Sequence, residues 1–353
     1  MELKSFLQQM IDIKASDVFI VAGLPISYRS NGRQSRMNAD PLTPEQTLAF
    51  VKSVYALAGR DWKIFEENLN HDDDFSFALP GVGRFRANIF RQRGSLSAVI
   101  RIIPFGLPNP QEFNIPEEVL RCSRFQKGLV LVTGPAGAGK STTLACIIDR
   151  LNHERVGHII TMEDPIEFAH KHNTCIVTQR EIPTDVASYG EALRSALREA
   201  PDIMLLGEMR DYDTMATALT AAETGHLLFS SLHTLGAAKS IDRIVDVFPA
   251  NAQQQVRVQL GTVLRAVVSQ QLVPTVTGEL TPVFEVMRVT PAIANLIREG
   301  KTFQIDNAMA AGGAQGMVTM DQSLARLVQG GFITRQTALS AAQSPEMLER
   351  RLR

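Results

Sequence analysis

The sequence predicts an α/β protein in which a smaller α+β domain precedes a larger domain of alternating strands and helices. Residues 103–116 contain four prolines and a glycine, and proline is excluded from helix interiors and central strands. We therefore predict an N-terminal α+β domain at 1–105 and a linker at 106–116. Apolar runs alternate with helical patterns over 117–289, which indicates an α/β core, and 290–353 predicts a helical C-terminal region.

The N-terminal domain begins with apolar residues at helical spacing over 1–14, which predicts an amphipathic helix that packs on a core. A short strand at 26–29 leads to Asn31–Gly32, which is a typical hairpin turn. Residues 43–46 carry a threonine, a proline and a glutamine at the spacing of a capping box, which predicts a helix start. Alternation of apolar and polar residues over 72–79 predicts a half-buried strand.

Two further strands are predicted at 83–91 and 95–103, joined by a two-residue turn at Arg93–Gly94. In that register Arg86 lies opposite Arg101, and like charges directly opposite each other destabilise a sheet. The pair is therefore interpreted in two ways. Both guanidiniums face one anion, or a bulge or another register separates them and both are solvated.

The α/β core and the C-terminal region are predicted from apolar runs and from helical spacing. Predicted strands are 129–132, 158–162, 203–206, 227–231 and 283–287. Predicted helices are 189–200, 214–223, 250–269, 291–299, 302–311, 320–329 and 334–342.

A glycine-rich segment at 128–143 has the strand, G-x-x-x-x-G-K-[ST] and helix order of a phosphate-binding P-loop. Glycines allow backbone N–H groups to surround phosphate oxygens, and the helix start adds unpaired donors. Lys140 is placed to reach the β- and γ-phosphates, and the Ser141 hydroxyl to ligate Mg²⁺. The GTPase motif N-K-x-D is absent, which favours ATP. The predicted nucleotide-binding residues are Gly134, Pro135, Ala136, Gly137, Ala138, Gly139, Lys140, Ser141 and Thr142.

Two acidic residues follow predicted strands, at the sheet edge where α/β proteins bind ligands. In segment 159–165, Glu163 directly follows the strand residues. In segment 202–211, which resembles a Walker B strand, Glu208 follows the apolar run at 203–206. An acid in the Walker B position holds Mg²⁺, and one of the two should orient or deprotonate the attacking water. Helix capping or surface ion pairing is the alternative for either acid.

Histidines flank the strand predicted at 227–231. His233 follows the strand, where its side chain can sense a γ-phosphate by hydrogen bonding, or can serve the structure alone. His226 precedes the strand and is interpreted as structural.

Bulk composition is that of a globular protein, with 353 residues, 44% apolar and 21% charged. The net charge of -1 argues against a nucleic-acid partner, since such proteins usually carry a basic excess. Three cysteines without a C-x-x-C pair argue against a zinc site or a disulfide framework.

At these positions the chain resembles the PilT group of type IV pilus retraction ATPases, within the secretion ATPase family. The resemblance covers nearly the whole chain. The matching segments are the phosphate loop at 134–142, the "Asp box" at 160–167 with Glu163, Walker B at 202–211 with Glu208, the "His box" at 224–234 with His233, and the C-terminal signature at 292–301.

The resemblance implies a PAS-like N-terminal domain, a RecA-like ATPase domain and a homo-hexameric ring that binds ATP and Mg²⁺. It implies catalytic roles for Glu163, Glu208 and His233, and it aligns Arg86 and Arg101 with arginines directed at the nucleotide. It also implies a motor for pilus retraction and twitching motility, peripheral at the cytoplasmic face of the inner membrane, with a pilus platform protein as partner.

Three alternatives stay open at this point. A PilU-like accessory retraction ATPase shares nearly all of these residues, and Ala294 departs from the arginine usual in the C-terminal signature. A type II secretion or pilus-assembly ATPase is disfavoured because the tetracysteine insert of that branch is missing. A RecA-like ring motor acting on nucleic acid would show DNA-stimulated, salt-sensitive ATPase activity.

Overall fold

The computed structural model describes residues 2–30, 33–67, 72–103 and 106–353. The chain divides into two units, Met1–Gly106 and Leu107–Arg353. A mixed α+β unit followed by a larger α/β unit confirms the predicted fold class. The limits predicted for the linker and for the C-terminal region stay predictions.

The N-terminal unit is built on an antiparallel sheet that has, among the described residues, six strands in the order β3-β2-β1-β6-β5-β4. Its strands are β1 (Ala15–Ile20), β2 (Ser27–Ser30), β3 (Arg33–Arg36), β4 (Asp73–Leu79), β5 (Gly83–Gln92) and β6 (Ser95–Ile103). Its helices are α1 (Leu3–Asp12), α2 (Pro44–Leu57) and α3 (Trp62–Glu67).

Helix α1 buries Phe6, Leu7 and Met10 in the core of this unit, which confirms its predicted amphipathic packing. The capping box predicted before α2 is also present: the Thr43 hydroxyl accepts from the backbone N–H of Gln46, and the Gln46 side chain accepts from that of Thr43. The hairpin turn predicted at 31–32 lies outside the described residues.

The larger unit contains the sheet that positions the site. Its strands are β7 (Gly128–Thr133), β8 (Gly157–Glu163), β9 (Cys175–Glu181), β10 (Ile203–Leu206), β11 (Leu227–Leu232), β12 (Leu264–Pro274) and β13 (Leu280–Arg288). Its helices are α4 (Glu117–Leu120), α5 (Lys140–Glu154), α6 (Tyr189–Ala196), α7 (Tyr212–Glu223), α8 (Ala237–Val247), α9 (Gln253–Val263), α10 (Pro291–Arg298), α11 (Ile305–Ala311), α12 (Met320–Gln329), α13 (Arg335–Ala341) and α14 (Pro345–Arg351).

Within residues 107–353, all of which are described, the seven strands form one sheet in the order β13-β12-β7-β11-β10-β8-β9. Every neighbouring pair is parallel except β12 and β13, which are antiparallel. Apolar residues on both faces of the sheet are buried under helices. The carboxyl ends of β7, β8, β10 and β11 therefore meet at one edge, as expected for a ligand-binding edge.

Two helix predictions are wrong in this unit. The helix predicted at 250–269 ends at Val263, and Leu264–Pro274 continues as strand β12 between β7 and β13. Periodicity alone cannot separate a short apolar strand from a buried helix, and pairing with β7 decides the outcome. The helix predicted at 189–200 ends at Ala196, and Ala200 has a positive φ of 51°.

In the C-terminal region, the predicted helix at 320–329 matches α12, whereas 302–311 begins with a 3₁₀ turn at Thr302–Gln304 before α11. Helix α14 was not predicted from the sequence. Among the helices of the described residues, none combines the length and the apolar character needed to span a bilayer.

Candidate active site

The phosphate loop follows β7, whose six residues are all buried at the centre of the sheet. Gly134 turns the chain out of this strand with a φ of 146°. A Cβ at Gly134 would lie 2.1 Å from the backbone oxygen of Gln270 on β12, so only glycine fits. Gln270 also donates from its side chain to the Ala138 carbonyl. Strand β12 thus holds the loop through the Gln270 side chain and leaves no room for a side chain at Gly134.

Helix α5 begins directly after the loop, with Gly139 as its N-cap residue at a φ of 85°. No side chain of the described residues caps this helix, so its first N–H groups and its positive dipole end face the loop. The Lys140 ammonium donates to the carbonyls of Gly134 (2.8 Å) and Pro135 (3.0 Å). Burial lowers the pKa of Lys140, and the carboxylate of Glu208 opposes this shift.

A cavity of about 400 Å³ opens above the loop at the carboxyl edge of the sheet. It collects predicted site residues from four separate segments. Those that line it are Ala136, Gly137, Ala138, Gly139, Lys140, Ser141, Thr142, Glu163, Glu208 and His233. Gly134 and Pro135 form the first turn of the loop and contact Lys140.

Glu163 is the last residue of β8, and its carboxyl group lines the cavity. One oxygen accepts from the Thr161 hydroxyl at 2.6 Å and from the Gln179 amide at 3.2 Å. Desolvation raises the pKa of Glu163 to about 7, although both donors favour the carboxylate. A carboxyl group that titrates near neutral pH is suited to accept a proton from water.

Glu208 lies two residues beyond β10, with its side chain 12% exposed. One oxygen pairs with Arg210 at 2.7 Å, and the other faces Nε2 of His233 at 3.2 Å. Glu208 and the Ser141 hydroxyl line the same cavity and offer the hard oxygen ligands that Mg²⁺ prefers. The residues present therefore fit a magnesium ion at this position.

Several residues around the cavity were not predicted from the sequence. Tyr189 lines it and packs over Gly207, where an added Cβ would lie 2.8 Å from the tyrosine oxygen. Gln179 belongs to β9, for which the sequence carries no strand prediction, so no signal pointed to it. Arg210 lies inside the segment resembling Walker B and could have been found there.

His226 lies away from the cavity. It precedes the opposite end of β11, and its Nδ1 lies 3.1 Å from the Ala221 carbonyl oxygen.

Arg86 and Arg101 face each other across β5 and β6 in the predicted register, without a bulge. The alternative of a different register is therefore wrong. Each guanidinium has its own carboxylate: Arg86 bonds Asp74 at 2.8 and 2.6 Å, and Arg101 bonds Asp17 at 3.1 Å. These carboxylates offset the repulsion between the two arginines. A role of the pair toward nucleotide stays a prediction.

The parallel sheet, the phosphate loop and the acids at the neighbouring strand ends define a P-loop ATPase. Residues 2–290 match the family described as "Type II/IV secretion system protein", and the chain belongs to this family.

Within this family the chain is similar to proteins of type IV pili. It is 48% identical over 332 residues to the "Type IV pilus retractation ATPase PilT" of Pseudomonas aeruginosa, covering 94% of this chain and 95% of that protein. It is 41% identical to the "Type IV pilus ATPase PilU" of the same organism, covering 98% of this chain and 89% of that protein. A solved structure described as "Crystal Structure of the Pilus Retraction Motor PilT and Bound ADP" superposes with a TM-score of 0.90, at 44% identity and 99% coverage of both chains.

Proposed function

We propose that this chain is a motor ATPase that converts ATP hydrolysis into the retraction of type IV pili. One observation carries the proposal: a single cavity brings together the phosphate loop, two carboxylates and a histidine from four segments of the chain. The identity to the retraction ATPase, 48% over nearly its full length, supports the pilus as the object of this motor. The lower identity of 41% to PilU favours the main retraction ATPase over the accessory one.

The proposed chemistry distributes roles around the cavity. The loop N–H groups and Lys140 bind the phosphates, and Glu163 accepts a proton from the attacking water. His233 senses the γ-phosphate by hydrogen bonding. It also orients the side chain of Glu208, which it contacts. Glu208 and Ser141 would hold Mg²⁺, which neutralises charge on the β- and γ-phosphate oxygens when bound.

The remaining parts of the proposal concern the assembly. We place the chain in a homo-hexameric ring at the cytoplasmic face of the inner membrane, with a pilus platform protein as its partner. Arg86 and Arg101 of the N-terminal unit are proposed to act on nucleotide. Their side chains are 32% and 66% exposed, and each is paired with a carboxylate of the same unit.

The experiment is ATPase activity per subunit against protein concentration, with the mass measured in parallel. We expect activity to rise and then to saturate as the ring forms. Arg86→Ala and Arg101→Ala should each lower the saturated rate, whereas Arg91→Ala, an exposed arginine of the same strand β5, should not. Low, flat activity from a chain that stays monomeric would contradict the ring. Flat activity at a large mass would mean that the ring never dissociated at the concentrations used. The arginine variants would then be the test.

A further inference from the structure

Glu285 is a fully buried carboxyl group that the proposed chemistry does not use. It lies on β13, and its neighbour across the sheet on β12 is Ser269. Both side chains reach the same stretch of backbone, which follows β11 and His233. Ser269 accepts from the N–H of Gly236 at 2.8 Å, and Glu285 accepts from the N–H of Ala237 at 2.7 Å.

These contacts hold one end of the segment that contains His233. The other end is held by the phosphate loop, because the N–H of Gly134 donates to the carbonyl of Leu232 at 3.2 Å. Between Leu232 and Gly236 the chain has three residues, of which His233 is the first. The position of the imidazole beside Glu208 therefore depends on both anchors.

The second oxygen of Glu285 faces residues 320–343, called here the C-terminal segment. It accepts from the N–H of Met320, at the start of α12, and from the side-chain amide of Gln343, each at 3.1 Å. Gln343 is itself fixed by Asp321, which accepts from its backbone N–H at 2.8 Å. The amide of Gln343 also covers Gly236, where an added Cβ would lie 3.1 Å from its nitrogen.

Three donors thus converge on one carboxyl group. A carboxylate accepts on both oxygens, so it satisfies donors from the His233 segment and from the C-terminal segment at once. A glutamine has the same shape but carries an NH₂ group, which must face a donor on one side or the other. A buried donor left without an acceptor is costly, so the substitution should loosen one of the two connections.

We propose that Glu285 is a positioning residue for ATP hydrolysis, which fixes the segment of His233 and connects it to the C-terminal segment through Met320 and Gln343. The inference rests on the proposed role of His233 in reading the γ-phosphate. Movement of Gln343 is passed to His233 through one carboxyl group. The C-terminal segment therefore controls the rate of hydrolysis without contacting nucleotide.

The test measures kcat, KM for ATP and the affinity for ADP in Glu285→Gln and Gln343→Ala. We expect Glu285→Gln to lower kcat about tenfold or more, since small misplacements of catalytic groups cost that much. Gln343→Ala should lower kcat about threefold or more, on the same grounds. Affinity for ADP should stay within about twofold in both, because the phosphate loop keeps its own anchors.

The matched control is Gln271→Ala. Gln271 lies on β12 and bonds the Ala341 carbonyl of the C-terminal segment at 2.8 Å, so it shares the packing without reaching Gly236 or Ala237. Its kcat should be that of the unsubstituted chain. An equal loss of kcat in Gln271→Ala, or no loss in Glu285→Gln and Gln343→Ala, would overturn the proposal.

Dependence on His233 is tested by combining substitutions. If Glu285 acts through His233, adding Glu285→Gln to His233→Ala should lower kcat by less than about twofold further. Full additivity would refute this route. Gln343→Ala replaces Glu285→Gln in the same design if the latter fails to fold. No ATPase activity in the unsubstituted chain would instead refute the proposed function. Normal activity in His233→Ala would refute the role of His233 and with it this inference.

Discussion

The pKa of Glu163 leads to a quantitative prediction for the pH dependence of hydrolysis. Desolvation raises this pKa to about 7, well above that of an exposed glutamic acid. Only the carboxylate can accept a proton from water, so the rate should rise as the pH rises through this value. With a pKa near 7, the carboxylate fraction is about 9% at pH 6 and about 91% at pH 8, which predicts a rise of about tenfold.

The environment of Glu163 supplies a variant that shifts this profile. The Thr161 hydroxyl donates to the carboxylate at 2.6 Å and lowers its pKa. Thr161→Val keeps the shape and removes the donor, so the pKa should increase and the profile should move to higher pH. Glu163→Gln cannot accept the proton at any pH. Its kcat should fall about 10²-fold or more, with ATP still bound.

The assay is phosphate release at saturating ATP from pH 5.5 to 8.5, with ATP binding measured separately. A flat rate between pH 6 and 8 in the unsubstituted chain would refute the assignment of Glu163 as the base. Near-normal turnover in Glu163→Gln together with a large loss in Glu208→Gln would mean that the two acids have exchanged roles. A Thr161→Val profile displaced to lower pH would show that the hydroxyl does not stabilise the carboxylate.

Two further predictions concern the phosphate loop. Lys140→Ala should abolish hydrolysis because it removes the ammonium from the γ-phosphate, whereas Lys127→Ala, an exposed lysine, should not; near-normal turnover in Lys140→Ala would contradict the loop assignment. Gly134→Ala should lower the free energy of unfolding by about 3 kcal/mol, through its clash with the Gln270 backbone. Gly137→Ala meets no atom within 4 Å and should cost about 1 kcal/mol, and equal midpoints of urea unfolding for the two variants would contradict this.

The sequence alone determined the parts of the site that depend on local pattern. The phosphate loop needs glycines, a lysine and a hydroxyl at fixed spacing, and this spacing is visible in the chain. Glu163 and Glu208 were predictable because each follows a short apolar run, and parallel strands end at a common edge. The pairing of Arg86 with Arg101 was one of two interpretations that the sequence allowed, and the strand register decided for it.

Only the tertiary structure decided features that depend on distant partners. The segment Leu264–Pro274 is a strand because β7 and β13 lie on either side of it, whereas its own apolar residues fit a helix as well. Gln179 reaches Glu163 from a strand that no strong local pattern predicted. Glu285 joins the segment after His233 to Met320 and Gln343, which lie 35 and 58 positions beyond Glu285 in the chain. Such contacts arise from packing between remote segments, so they cannot be predicted from short-range spacing in the sequence.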